Sequence, residues 1–596
     1  MNSGSESTTV AEAVLRCLEA EGVEHIFGVP GGALTPLFEC LLDHPNMRHV
    51  LAKHEGGASF MANGYARVRR RLGVCFATTG PGGTNALTGI ASSFSDSVPV
   101  LLITGQTATR AFGRGSLQDS SGLGIDLVEI YKPVTKLSAM LANPERMPDL
   151  MRRALRTAFS GRPGPVHLSI PVDMMKQEIS WTPVAPARYR PACAPVDRNA
   201  TAAAARALLE AERPCIVVGH GANLAGAAAA LVAIAEKLHI PVATTPMAKS
   251  IFPENHPLSL GVYGFAGHAR AETYLLGDYV DVLVVIGSSL GELVTNAWDK
   301  NLQPTKQLIQ IDIDPCELGK NYPVDLGIIG DARVVLEEIG TQVDALLLTP
   351  EFSRGLRARS DDPLEAFREE VPRYSVRPPM SMRSASVAMM KPQQVIREMQ
   401  AAMPDDALLF IDSGNCVSWS IHYFESRKPD TYFVNMGLAS MGHATAGVVG
   451  GKLAAPTKTV VALVGDAAFA MNGMEVHTAV EHSAAIVWIV LNNSGHGMVY
   501  HGEKMLLGRH LNACHFSVPL DIAGMARSMG ARGFKVETPI ELRAALQEAI
   551  ASGVPCVIDA KIDPEEIPHS LARRARTVGA AQDNQALSVR VPLIKK

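Results

Sequence analysis

Residues 459–499 read TVVALVGDAAFAMNGMEVHTAVEHSAAIVWIVLNNSGHGMV. Two β-branched apolar runs, Val460 to Val464 and Ala485 to Leu491, have the composition of buried parallel strands, and the amphipathic stretch between them has the length of a crossover helix. The segment reads as a βαβ unit. Its first strand stops at Gly465-Asp466 and its second at Asn492-Asn493, so both tips carry hard oxygen donors. Ligands of a parallel sheet sit beyond the carboxyl ends of the strands, which lets Asp466 and Asn493 face one another. A carboxylate paired with an amide oxygen suits Mg²⁺ or Ca²⁺, and Mg²⁺ completes its octahedron with water and the phosphate oxygens of a ligand. The small residues Ala467 and Ala468 leave backbone N–H groups at the start of the following helix open to an anion such as a diphosphate. Alone, Asp466 would read as a helix cap and Asn493 as a turn. Their pairing across a strand–helix–strand spacing turns the reading toward a metal and diphosphate site.

Outward from this unit, the 596 residues are too many for one core. Thr9 with Glu12 forms a capping-box pattern, and Val10, Val14, Cys17 and Leu18 recur at helical spacing until Gly22. The runs HIFGV, GVCFATT, VPVLLITG and GPVHLSI then alternate with helical segments and the glycine turn GPGGTN, so residues 1–185 read as one doubly wound α/β domain. A Pro- and Ala-rich linker opens a central α/β domain, 186–345, which runs through RPCIVVGHGA, DVLVVIGSSLGEL and KQLIQIDIDP. A charged connector spans 346–390, the third domain covers 391–565, and a tail with Arg573, Arg574 and Arg576 occupies 566–596. The fold class is α/β, with three doubly wound parallel-sheet domains. Domains one and three share the pattern strand, glycine turn, helix, strand, which suggests structural repetition.

A composition of 47% hydrophobic and 19% charged residues with a net charge of −4 gives no electrostatic reason to expect nucleic acid or an acidic membrane as partner. The longest apolar stretches, such as AAIVWIVL, are strand length, well short of the ~20 residues of a membrane span. The opening MNSGSESTTV has no basic region followed by an apolar one, and the nine cysteines lack any Cys-x-x-Cys spacing. A cytoplasmic protein acting on small molecules is expected.

A Gly-Asp-x motif followed by Asn-Asn resembles the cofactor fingerprint of thiamine diphosphate enzymes, with Ala467 in place of the usual third glycine. The resemblance covers nearly the whole chain and is strongest to the acetolactate synthase group, through FGVPGGALTPLF, TTGPGGTNALTGIASSFSDSVPVLLITGQ, IDIDP with GDAR, and NNSGHGMV. It implies that the domains are pyrimidine-binding, central and diphosphate-binding. It further implies that Asp466, Asn493 and the Gly495 carbonyl bind Mg²⁺. The segment KHEGGASFMANGYAR resembles the family's His-Glu-x-x-Ala and makes Glu55 the acid that protonates the cofactor's aminopyrimidine. In NMGLASMGHATAGVVGG the resemblance puts the wedge that bends the cofactor at Met441, and the acceptor for its 4′-amino group at the Ala439 carbonyl. Gly32 matches a position against the thiazolium, and Gln118 a glutamine lining the active site. Gly414, Asn415, Gly465, Ala467, Ala468, His496 and Met498 fall at further cofactor-binding positions. Because Glu55 and the metal ligands lie in different domains, the resemblance implies a site shared between subunits of a homodimer or homotetramer.

The implied reaction is decarboxylation of a 2-oxo acid with ligation of the remaining fragment to a second carbonyl. Alternatives are a decarboxylase that releases aldehyde, a benzaldehyde lyase-like acyloin lyase or ligase, and, outside enzymology, a catalytically silent regulatory homologue. Retention of Glu55, Asp466 and Asn493 speaks against silence. Leu117 stands where biosynthetic acetolactate synthases often carry Phe, and His501-Gly502 where they carry a large aromatic that selects 2-oxobutanoate. His496 and His501 are candidates for substrate contact. Those enzymes also bind FAD through an arginine-bearing stretch after a central strand; here the strand ends GSSLGELVT, which argues against a flavin despite the glycine-rich GHGAN.

Overall fold

The apolar runs assemble into three six-stranded sheets, every strand pair within them parallel, in a computed structural model that describes residues 6–190, 196–357, 363–374, 389–507, 512–568 and 570–571. Arg573, Arg574 and Arg576 lie outside the described residues. The first sheet uses strands from His25–Gly28 to Val166–Pro171, the central one from Pro214–Val218 to Leu326–Ile329, and the third from Leu408–Ile411 to Cys556–Lys561. Numbered by appearance within each sheet, the first and third share the order 2-1-3-4-6-5, whereas the central sheet runs 3-2-1-4-5-6. The repetition read from sequence between domains one and three is thus a shared topology. A small antiparallel pair, Glu6–Thr9 with Glu178–Trp181, ties the N-terminal segment to the end of the first domain.

The opening stretch forms adjacent parallel strands, Val460–Gly465 and Ile486–Asn492, with Gly465 level with Leu491. Both are buried almost throughout, which explains their unbroken apolar character. The crossover differs from the single helix expected: it divides into Asp466–Asn472 and Glu475–Glu481 at Gly473-Met474, where glycine's poor helix propensity permits the break.

The first and third domains meet through helices Glu55–Arg69 and His443–Ala454, whose backbones touch. A Cβ on Gly64 would fall on the Gly447 carbonyl, and one on Gly450 on the Met61 carbonyl. Only glycine permits this approach. Gly450→Val is therefore expected to destabilise the domain pair by about 3 kcal/mol, the upper part of the overpacking range, and to lower the thermal midpoint by several degrees. An unchanged midpoint would mean that the helices can separate at no cost.

Candidate active site

At the third sheet the strand order reverses between Leu408–Ile411 and Val460–Gly465, and a cavity of about 250 Å³ opens beyond these strands. The third-domain cofactor and metal candidates line it, namely Gly414, Asn415, Ala439, Met441, Gly465, Asp466, Ala467, Ala468, Asn493, Gly495, His496 and Met498, whereas Asn492 and Gly502 do not. Asp466, 1% exposed, accepts the Gly495 N–H at 3.0 Å through Oδ2 and its own neighbour's N–H, that of Ala467, at 2.9 Å through Oδ1. The Ala467 amide, expected to be open to an anion, is thus engaged by the Asp466 carboxylate. Burial pushes the Asp466 carboxyl up to about 6.

The Asn493 side-chain oxygen faces the Gly495 carbonyl and Asp466 Oδ1; only by exchanging its oxygen and nitrogen would the amide donate to them, at 3.0 and 3.2 Å. In this orientation three oxygens meet with no donor between them, a donor set that would suit a hard cation such as Mg²⁺; without a cation, the exchanged amide would satisfy both acceptors. Asn492, its neighbour, does something else. Its amide donates to the buried Asp559 at 2.8 Å and its oxygen accepts from Ser494, which fixes the turn that presents Asn493 and Gly495.

The ledge beside the cavity is held by a residue that sequence reading passed over. Asp412, fully buried, accepts from the amides of Ser413 and Gly442 at 2.8 Å, and from the Thr445 amide at 2.9 Å and hydroxyl at 3.0 Å. These bonds draw the loop bearing Ala439 and Met441 against the end of the strand, with Ala439 at φ +54° and Gly442 at φ +82°. Only the motif position of Asp412, directly after an apolar strand in FIDSGN, could have signalled it.

His501, 2% exposed, also lines the cavity. Its Nε2 lies 2.7 Å from the Pro564 carbonyl, which makes it the donor there, so Nδ1 accepts from the Asn415 amide at 2.9 Å. This chain leaves Asn415 Oδ1 buried without a partner in the cavity wall.

The first-domain candidates sit elsewhere, around the carboxyl ends of the first sheet. Glu55 opens its helix and is 8% exposed; Oε2 accepts from Asn85 at 3.0 Å, and a Cβ on Gly82 would lie 3.2 Å from Oε1. His54 caps the helix through Nδ1 and the Gly56 amide at 3.0 Å. Gln118, at φ +59°, is exposed, and its carbonyl accepts from Thr79 at 2.8 Å. Gly32 is exposed with open space where a Cβ would stand. None of the three lines the third-domain cavity.

The second crossover helix bridges the two domains here, through Glu475, Thr478 and Glu481. Glu475, 1% exposed at the start of the second crossover helix, accepts the amides of Lys53 at 3.0 Å and His54 at 3.2 Å, immediately before Glu55. A Cβ on Gly57 would collide with its carboxylate. Nothing in a lone glutamate in a helical segment marks it from sequence.

Comparison with known proteins matches three family domains along the chain. Residues 8–126 match the family described as "Thiamine pyrophosphate enzyme, N-terminal TPP binding domain", 201–339 the central domain and 412–560 the C-terminal TPP binding domain of the same enzymes. The chain is 34% identical over 578 residues to the "Probable acetolactate synthase large subunit" of Methanocaldococcus jannaschii, covering 93% of this chain and 92% of that protein. It is 34% identical to the acetolactate synthase large subunit of Corynebacterium glutamicum, covering 92% and 86%, and 33% identical to that of Haemophilus influenzae, covering 97% and 98%.

Proposed function

The chain belongs to the thiamine pyrophosphate enzymes, in the acetolactate synthase-like group, and from that premise we propose how its own residues serve the reaction. It is an enzyme that uses thiamine diphosphate, the same molecule as thiamine pyrophosphate, for 2-oxo acid decarboxylation with carboligation. When bound, the cofactor supplies the carbanion that adds to the 2-oxo acid and takes up the electrons released with carbon dioxide. Asp466, Asn493 and the Gly495 carbonyl hold Mg²⁺ against the diphosphate. The observation that supports this reading is the meeting of their oxygens in the wall of one cavity. Asn415 Oδ1 and the small residues Gly414, Gly465, Ala467 and Ala468 shape the diphosphate pocket, with His496 and Met498 on its loop side. Met441 stands as the wedge and the Ala439 carbonyl accepts from the 4′-amino group. Glu55 holds the proton at N1′ of the pyrimidine.

Gly32, Glu55 and Gln118 belong to the same site only if a second copy brings its first domain over the cavity. The exposed apolar side chains support that arrangement: Leu117, Leu123 and Ile125 are 85%, 76% and 60% exposed beside Gln118, and Met471, Met474 and Val499 are 55%, 56% and 53% exposed beside the cavity elements. A homodimer, alone or paired into a tetramer, covers them. Gln118 then orients the acceptor carbonyl. Location in the cytoplasm completes the reading; no helix among the described residues is long and apolar enough to cross a membrane.

The substrate test is direct. Incubation with a panel of 2-oxo acids, with and without acceptor aldehydes, should give coupled products by mass spectrometry; aldehyde alone under every condition would leave a simple decarboxylase.

For the central domain the expectation is no tightly held flavin. Where its strand order reverses, the Gly221 amide donates to the Gly287 carbonyl at 2.9 Å, and a Cβ on Gly219 would overlap that same carbonyl. The amide is thereby occupied by backbone at the point where a dinucleotide's phosphates would approach. The purified protein should be colourless, and a flavin absorbance near one per chain would overturn this.

A further inference from the structure

A second cavity, of about 120 Å³, lies where all three domains meet, and none of the residues assigned to the cofactor lines it. Its walls are mostly apolar, with Val98, Pro99 and Phe159 from the first domain, Leu224 and Met247 from the central domain and Phe433 from the third. Its volume is of the order of the ~150 Å³ that admits a benzene-sized guest. Among the residues lining it are polar atoms sealed from solvent and without a hydrogen bond of good geometry: both ring nitrogens of His220, Asn223 Oδ1, Ser250 Oγ and Arg67 Nε. A buried polar atom left unpaired costs about 1–3 kcal/mol, so a cluster of them in one cavity calls for an occupant that pairs them.

The charges and conformations specify what kind. The Arg67 guanidinium is already neutralised by the buried Asp96 and donates to the Val434 carbonyl at 2.8 Å. Arg70 at the rim is paired with Asp430. His220 is neutral, because burial and the nearby Arg67 charge take its pKa down to about 3; the Met247 and Asp96 carbonyls oppose that fall without reaching hydrogen-bonding geometry. The wall therefore offers donors and acceptors but no uncompensated charge. Ser250, 1% exposed, holds its hydroxyl there from a backbone at φ +86°, a conformation that costs about 1–3 kcal/mol for a non-glycine residue and that surrounding structure must enforce.

We propose that this three-domain cavity binds a small uncharged organic molecule of the hydroxyketone class, with one hydrogen-bond donor and one acceptor on a short carbon chain. The hydroxyl and carbonyl pair with His220, Asn223 and Ser250, and the chain packs on Phe159, Met247 and Phe433. Because its walls come from three domains, occupancy fixes the central domain against the other two. The site stands on geometry independent of the cofactor reading.

The test is isothermal titration calorimetry of the holoenzyme with 3-hydroxybutan-2-one, beside 2-hydroxybutanoate as the charged analogue and butan-2-one as the analogue without a donor. The hydroxyketone should bind at least about ten-fold more tightly than either. His220→Leu and Ser250→Ala should each weaken it by at least about ten-fold while leaving turnover of the 2-oxo acid unchanged, and crystals soaked with the probe should show it in the cavity. Four results would overturn the proposal: no binding, equal binding of the anion, affinity unmoved by both substitutions, or density for water alone. The comparison among the three probes needs only the wild-type protein, so it decides even where a variant fails to fold.

Discussion

Asp466→Ala should lose all measurable turnover and, at limiting Mg²⁺, bind thiamine diphosphate at least about 100-fold more weakly, a cost of about 2.7 kcal/mol. The substitution removes a charged ligand from the three-oxygen cluster and also strips an acceptor from the Gly495 and Ala467 amides. Asp466→Asn separates the two effects. It can still accept the Gly495 amide but carries no charge, so a metal role predicts nearly the same loss of cofactor affinity in both variants. If Asn restores the affinity, the carboxylate serves the turn and not a metal.

The same residue sets a pH dependence with a definite sign. Burial holds the Asp466 carboxyl at about 6, above the usual value of about 3.9. Without metal the fold favours the protonated acid, and that stabilisation, full below pH ~4, fades as pH rises through about 6. A divalent cation favours the carboxylate instead. The gain in thermal midpoint from adding Mg²⁺ and cofactor should therefore grow across this window, and a gain independent of pH would detach Asp466 from the metal.

Glu55→Gln should fold and bind cofactor, yet lose about 10²- to 10⁴-fold in turnover, the usual worth of a positioned proton donor. Glutamine can keep the bond from Asn85 that now reaches Oε2 at 3.0 Å, but it cannot give a proton to N1′. Exchange of the C2 hydrogen of bound thiamine diphosphate, followed by NMR, reads that step directly. Exchange at the wild-type rate would end the proton-holding role. The subunit arrangement has its own check in mixtures of inactive Glu55→Gln and inactive Asp466→Ala chains. A mixed dimer rebuilds one site with both residues intact, so some activity should return; if chains exchange and none does, the two half-sites do not meet across an interface.

Those half-sites differ in how much of them sequence could disclose. Asp466 and Asn493 were legible because each ends a strand within one short βαβ unit, and the fold brings adjacent strand tips together by rule. Glu55, Gln118 and Met441 were accessible only through resemblance, since their partners come from other elements. Asp412 and Glu475 stayed hidden for a physical reason. Each buried carboxylate takes its long-range hydrogen bonds from backbone amides, Asp412 from Gly442 and Thr445, Glu475 from Lys53 and His54, and backbone amides carry no residue signature. The break at Gly473 was hidden for the opposite reason. Its residues fit one amphipathic helix, and packing, not periodicity, divides it.

The divided crossover has a consequence for the proposed dimer. Its first helix opens with Asp466 in the third-domain cavity; its second opens with Glu475, which accepts the amides of the Lys53-His54 loop leading to Glu55 of the same chain. In the proposed dimer that Glu55 would serve the other site. The crossover would then have one end near each active centre, the two joined through the break at Gly473-Met474. Coupling between the two centres of such a dimer is the expected result: the first cofactor bound should alter the affinity for the second, reciprocally, and titration of the apo-dimer should depart from a Hill coefficient of one, whereas a coefficient of one would show the centres to be independent.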